Sequence, residues 1–307
     1  MKTLKAFHSL RSLGSLAALA TLPFFLSSCM VVEDLGFQTE DGNGVAATEI
    51  RTLPSFNRVR LDAPVHVVVK SGPSYSAYVT SDANLTGYIQ TDAFAGTLTI
   101  GLSSGINPSI EPEVVIVVPD LRELTHNGNG VVEIQEDGNF PDVNLTLNGG
   151  GEIRYSGTAS RITATVNGYG NIVMEGYTAM LQANLRGNGE IHAENLLAGD
   201  ADVDLSGSGF VFLDLDYQSV LNLDLSGSGH VEWWGSPARL NYHLSGEGKV
   251  VEHRGLPKRS AAAKASAGLA KASGIQTGSA ASVAQAYENV PVLPPKVIKF
   301  SAAAGKH

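Results

Sequence analysis

Cysteine is nearly absent: Cys29 is the single copy in 307 residues, which excludes an intrachain disulfide framework and any cysteine-based zinc cluster. Charge is scarce as well. Asp, Glu, Lys and Arg make up 17% of the chain, against about 25% in ordinary soluble domains. With 43% hydrophobic residues the chain can bury a core and is not a disordered polyelectrolyte. Basic clusters are missing from its body, where residues 29–255 hold 11 basic and 29 acidic side chains. A surface this acidic repels nucleic acid and anionic lipid, whose affinity rests on Lys and Arg clusters. Gly101-Leu102-Ser103-Ser104-Gly105 has the Gly-x-Ser-x-Gly spacing, but it lies in a strand-rich stretch without the helix that a nucleophile elbow needs. No His-x-x-x-His metal spacing links His126, His192, His230, His243 and His253.

What is present begins with an asymmetric N-terminus. Residues 1–28 carry Lys2, Lys5 and Arg11 and no acid. Residues 12–26 are apolar, too short and too interrupted by Pro23 for a comfortable membrane span, and read as the core of a secretory signal. The following Leu26-Ser27-Ser28-Cys29 resembles the bacterial lipobox. That resemblance implies cleavage before Cys29, lipidation of its thiol and a membrane as partner; the alternative is an ordinary signal peptide with a chance cysteine. Met30 fits the usual lipoprotein sorting pattern for the outer membrane, on its periplasmic or its cell-surface side. Residues 29–48, with Asp41-Gly42-Asn43-Gly44 and little apolar periodicity, read as a flexible tether.

A Gly-x-Gly pair then recurs at 128/130, 149/151, 168/170, 187/189, 207/209, 227/229 and 246/248, at successive spacings of 21, 19, 19, 20, 20 and 19. Two residues after each second glycine stands a β-branched residue: Val132, Ile153, Ile172, Ile191, Val211, Val231, Val250. Two before each of the last six first glycines stand Leu147, Val166, Leu185, Leu205, Leu225 and Leu244. Polar residues alternate with these, the pattern of strands with one buried face. A repeat of about twenty residues without a helical segment is too short for a propeller blade, and the leucine-rich-repeat pattern is absent. One coil of a parallel β-helix remains, with the glycines permitting close backbone approach at each turn. The irregularly spaced strands of residues 49–118 are expected to cap the N-terminal end of the stack.

The opening Phe56-Asn57-Arg58-Val59-Arg60-Leu61, the Val65-to-Val69 strand, the Val114-to-Pro119 strand with Leu121, and the run of Gly-x-Gly-x-Ile/Val coils together resemble a known family. It is the bacterial putative auto-transporter adhesin head GIN domain proteins, and the likeness covers residues 49–255. It implies a right-handed β-helical domain on the bacterial envelope, lipid-anchored or secreted, with an adhesive role suggested by shape and no catalytic residues. Residues 256–307 depart from this pattern, reading as a basic Ala/Ser/Lys-rich tail. Its Pro-rich end, Val290 to Phe300, either stays disordered, folds back on the domain or binds a partner.

Two sets of residues are candidates for binding. Asp202 and Asp204 alternate on one strand and so share a face, and Asp224 occupies the position of Asp204 one coil on. Such a ladder is either solvated surface or a place for Ca²⁺, although the Gly-Gly-x-Gly-x-Asp arrangement of calcium-binding β-rolls is absent. Trp233 and Trp234 point to opposite faces, so one lines the core; the other either covers the end of the stack or stacks on a sugar ring or a partner. The expectation is a non-enzymatic envelope protein, adhesive or structural, that needs no cofactor or metal and meets a glycan or an envelope protein. The alternative is a glycan-binding or glycan-cleaving protein of the same fold, its carboxylates serving acid–base chemistry. Edge strands leave stacking or dimerisation open.

Overall fold

The computed structural model describes residues 39–253 and 296–299, and these contain twenty β-strands, one 3₁₀ turn at Thr86–Tyr88 and no α-helix. The strands before the repeats are β1 (Thr39–Asp41), β2 (Ala46–Thr52), β3 (Arg58–Leu61), β4 (His66–Ser71), β5 (Ser76–Asp82), β6 (Ile89–Phe94), β7 (Thr97–Leu102), β8 (Gly105–Asn107) and β9 (Glu113–Val118). The repeats give β10 (Glu123–His126), β11 (Val131–Leu147), β12 (Glu152–Val166), β13 (Asn171–Gly187), β14 (Glu190–Gly207) and β15 (Phe210–Leu215). They continue as β16 (Val220–Gly227), β17 (His230–Trp234), β18 (Arg239–Gly246) and β19 (Lys249–His253), and β20 (Lys296–Lys299) follows. The fold is a parallel β-helix.

Each coil presents two principal faces separated by its Gly-x-Gly turn. Face A lies before the turn and runs β7, β3, β10, the ends of β11 to β14, then β16 and β18, all parallel. Face B lies after it and runs β9, β4, the starts of β11 to β14, then β15, β17 and β19. A shorter third stretch, such as Thr158–Ala159 against Tyr177–Thr178, carries the chain from face B back to face A.

The sequence recurrence is spatial stacking. Val132, Ile153, Ile172, Ile191, Val211, Val231 and Val250 pair in one row down face B, each at most 2% exposed. Leu147, Val166, Leu185, Leu205 and Leu225 form the matching row on face A, each fully buried. His126 takes the same row between Leu61 and Leu147. It is accommodated there because its Nε2 lies 2.9 Å from the Gly130 carbonyl, so the buried ring is hydrogen-bonded.

The glycines are dictated by backbone contact. A Cβ on Gly170 or Gly209 would run into the carbonyl oxygen of Gly151 or Gly189 one coil below. Gly227 and Gly246 additionally hold φ of 127° and 109°, which disfavours any side chain. The close approach lets the turns bond to one another, as in Gly170 N–H to the Gly149 carbonyl at 3.1 Å and Gly189 N–H to the Gly168 carbonyl at 3.1 Å.

The N-terminal cap has an order that the irregular spacing concealed. The β3–β4 coil sits between the β7–β9 coil and the β10–β11 coil, so the stack does not follow the chain. Antiparallel strands close its end: β6 on β7, and β5 then β2 beyond β9. The tether read over residues 29–48 is corrected at its C-terminal part, since β1 pairs with β8 and β2 begins at Ala46. Asp41-Gly42-Asn43-Gly44 leads out of β1 through a bend at Gly44, where φ is 72°. The Asp82 carboxylate accepts the Gly44 N–H at 2.6 Å and the Ser109 and Ile110 N–H groups at 2.9 and 3.0 Å. At the far end, β20 pairs antiparallel with β19, so this piece of the tail folds back on the domain. Residues 1–28, read as a secretory signal, Cys29 and residues 254–295 lie outside the described residues.

Candidate functional site

The outward side chains of face A form ladders of amides that end on carboxylates. Asn241 donates to Asn222 at 2.8 Å, and Asn222 donates to Asp202 at 2.6 Å. In the neighbouring row Thr165, Asn184, Asp204, Asp224 and His243 stack coil on coil, with Asn184 donating to Thr165 at 3.3 Å. Period-two alternation and an unbroken register bring Asp202, Asp204 and Asp224 together. They line an open groove of about 480 Å³ with Gln182, Asn184, Asn222, Asn241 and His243. Asp204 and Asp224, one coil apart at about 4.8 Å, repel by roughly 1 kcal/mol in water. A ligand that brings a cationic or hydroxyl-rich group relieves that repulsion.

Other aspartates of the same region are structural. Asp200 accepts the Val220 N–H at 2.7 Å and Asp216 the Tyr217 N–H at 2.6 Å, while Asp214 is fully buried. Among the described residues no group of three or more His, Cys, Asp or Glu is arranged to hold a metal ion.

The two tryptophans lie away from this groove, on β17 of face B. Trp233 is 1% exposed and belongs to the core, so a ligand cannot reach it without opening the coil. Trp234 points outward, half-buried, and stacks on His253 with ring centroids 4.4 Å apart and planes 8° from parallel. The same face holds two further ring contacts between neighbouring coils, His192 stacked on Phe212 at 4.9 Å and His230 tilted by 34° against Phe210 at 5.3 Å. Sequence reasoning placed Phe210 and Phe212 with the tryptophans in the most aromatic coils but missed their histidine partners, although the offsets from 192 to 212 and from 210 to 230 match the repeat and carried the signal.

Their surroundings shift two of these histidines in opposite directions. His192 Nδ1 lies 3.2 Å from Glu194 and Nε2 2.7 Å from Glu190. The Glu194 hydrogen bond, helped by Glu190 and only partly offset by burial, raises the His192 pKa above its ordinary value. Burial, with the Lys249 charge nearby, lowers that of His230.

The fold has known counterparts. The family pattern "Putative auto-transporter adhesin, head GIN domain" matches residues 55–237, more than half of the chain, and the chain belongs to that family. A putative adhesin from Bacteroides fragilis is 18% identical with a TM-score of 0.61, covering 66% of this chain and 95% of its own. A putative lipid binding protein from Parabacteroides distasonis is 21% identical with a TM-score of 0.56, covering 69% and 98%. A putative adhesin from the same organism is 18% identical with a TM-score of 0.54, covering 70% and 99%. At these identities the likeness is one of fold. No curated protein matches the chain significantly.

Proposed function

We propose that the protein is a non-enzymatic envelope lipoprotein, exported by residues 1–28 and held at the outer membrane by lipid on Cys29. Its role is adhesive or structural, and it binds through face A. The observation that carries this reading is the groove at Asp202, Asp204 and Asp224, where carboxylates, amides and the His243 imidazole converge on strands bonded coil to coil. Such a surface presents fixed acceptors and negative charge, which suits a hydroxyl-rich or amine-bearing partner, a glycan or a basic segment of an envelope protein. The family and the adhesin-like structural neighbours support the adhesive role.

The test is a glycan and extracellular-matrix binding array, run with and without Ca²⁺. The chain from Met30 onward is compared with its Asp202→Asn/Asp204→Asn/Asp224→Asn variant. Specific binding that the variant loses supports the reading, and dependence on Ca²⁺ assigns the ion to this ladder. Binding that survives in the variant moves the site off face A. Release of reducing ends or unsaturated products from polysaccharides overturns the non-enzymatic assignment.

One observation favours glycan binding elsewhere. Trp234, Phe210 and Phe212 make face B the aromatic side of the last coils, with Glu190 and Glu232 beside them. Aromatic rings flanked by carboxylates are a chemistry that holds sugars.

A further inference from the structure

The Gly-x-Gly corners between the two faces repeat a simple pattern. Before and between the glycines stand Asn127 with Asn129 in the first repeat, and Ser206 with Ser208, then Ser226 with Ser228, in later ones. These side chains are exposed and need only be small and polar, as where Ser208 bonds to Ser228 at 2.9 Å. Three consecutive coils in the middle of the stack depart from the pattern, with Gly150, Tyr169 and Arg186.

The three departures fit one another. The Tyr169 ring lies against Gly150 one coil below, in the space that a Cβ on Gly150 would take, so the missing side chain seats the ring. The rest of Tyr169 is open to solvent, 72% exposed. Arg186 follows Leu185, which pairs with Val166, and so stands one coil on from Asn167. There it interrupts the Asn127–Asn148–Asn167 ladder, whose last amide donates to Asn148 and, among the described residues, accepts nothing at its own Oδ1. Among the same residues no hydrogen bond, ion pair or ring contact holds the side chain of Tyr169 or of Arg186. Arg51, Arg60, Arg122 and Arg154, by contrast, each close on a carboxylate.

We propose that Tyr169, Asn167 and Arg186 form a binding site for a sugar ring that carries an oxyanion. The ring stacks on the open side of Tyr169. Its carboxylate or sulfate takes two parallel N–H donors from the Arg186 guanidinium, and a hydroxyl donates to the Asn167 Oδ1. Asn188, exposed in the corner one coil above Tyr169, adds an amide at the rim. Residues 29–255 hold 11 basic and 29 acidic side chains, so a densely charged polyanion is repelled. The glycan that fits spaces its acidic sugars among neutral ones. This site takes the charge opposite to that favoured by the groove at Asp202, Asp204 and Asp224, and it does not rest on the reading of that groove.

Isothermal titration calorimetry on the chain from Met30 onward tests this with three short oligosaccharides. They are hyaluronan, in which uronic acid alternates with a neutral sugar, its carboxyl-reduced neutral form, and keratan sulfate, acidic through sulfate alone. One acidic oligosaccharide should bind about tenfold more tightly than the neutral form, and the tighter of the two identifies the oxyanion. Tyr169→Ala and Arg186→Gln should each weaken that binding about tenfold and leave the melting temperature unchanged, since neither side chain holds the fold. Gly150→Ala should weaken it by displacing the ring, and should add nothing in the Tyr169→Ala background. The Asp202→Asn/Asp204→Asn/Asp224→Asn variant should still bind; loss there would put the ligand in the groove and overturn the proposal. Equal affinity for the neutral form, no binding of either acidic oligosaccharide, or binding that survives Tyr169→Ala and Arg186→Gln overturns it as well.

Discussion

Asn148 donates its side-chain amide to Asn127 at 2.7 Å, one coil below, and accepts the amide of Asn167 at 2.7 Å from one coil above. The ladder ends where Asn127 donates to the Asp62 carboxylate at 2.6 Å. Every amide points its donor the same way, toward the anion, as in the Asn241–Asn222–Asp202 ladder near the other end of face A. Aligned amide dipoles reinforce one another, so a middle rung counts for more than an isolated surface bond.

Asn148→Ala should therefore destabilise the protein by about 1–2 kcal/mol, the cost of two lost bonds. Asn148→Asp should cost at least as much, because a carboxylate keeps the acceptor for Asn167 and loses the donor to Asn127. Urea denaturation of the three proteins measures the order, and an Asp variant as stable as the native chain would show that the direction of the ladder is immaterial.

Glycine pressed against a neighbouring carbonyl should be indispensable, and glycine with open space around it should not. Gly170→Ala drives a methyl group into the Gly151 carbonyl and the Leu147 side chain, and should cost about 1–3 kcal/mol as two coils are pushed apart. Gly101, on β7, has open space where a methyl group would sit and no positive φ. Gly101→Ala should be neutral or slightly stabilising through loss of unfolded-state freedom. Thermal unfolding of the pair separates contact from composition.

Acid should loosen the N-terminal cap first. Burial pushes the Asp82 pKa up, but the backbone N–H donors of Ile110, Gly44 and Ser109 outweigh it and hold the carboxyl below its ordinary value. Asp62 is likewise lowered, its desolvation outweighed by hydrogen bonds from Arg60 and Asn127. Groups with depressed values contribute stability present above the unfolded pKa of about 3.9 and lost as pH falls through the folded one. His192 has the opposite sign: its raised pKa contributes stability that is full below about 6.5 and lost as pH climbs through the folded value. Hydrogen exchange against pH should show β2, β5 and the 42–44 bend opening at low pH. His192→Gln should flatten the neutral-to-alkaline slope of the melting temperature while leaving the acid slope unchanged.

The repeat was legible because each coil performs the same task at the same position. Val132 to Val250 had to be β-branched and inward, and the glycines had to yield to a neighbouring carbonyl, so period and burial could both be read from spacing. The out-of-sequence β3–β4 coil was not legible, since parallel pairing between residues as distant as Arg58 and Thr97, or Arg58 and Glu123, leaves no local pattern. The Asp41–Gly44 segment looked like a linker because its partner, Asp82, lies far along the chain. Of the candidate residues, the three aspartates could be placed on one face from alternation alone. Trp233 stands two residues past the inward Val231 in β17, so the register of that row turns Trp233 into the core and Trp234 outward.

That register gives the last test. Trp233 fills the core beside the Leu213 row and is 1% exposed, so Trp233→Ala should cost about 3–5 kcal/mol and loosen β17 and β19 before the rest. Trp234 rests against His253 on the outside, and Trp234→Ala should cost about 1 kcal/mol or less, the worth of an exposed ring pair. Chemical denaturation sets the two costs side by side. If Trp234→Ala folds normally and loses glycan binding, the aromatic strip of face B is a binding surface. If it folds normally and binds as before, the strip is not the binding surface, and its ring contacts serve to join the last coils.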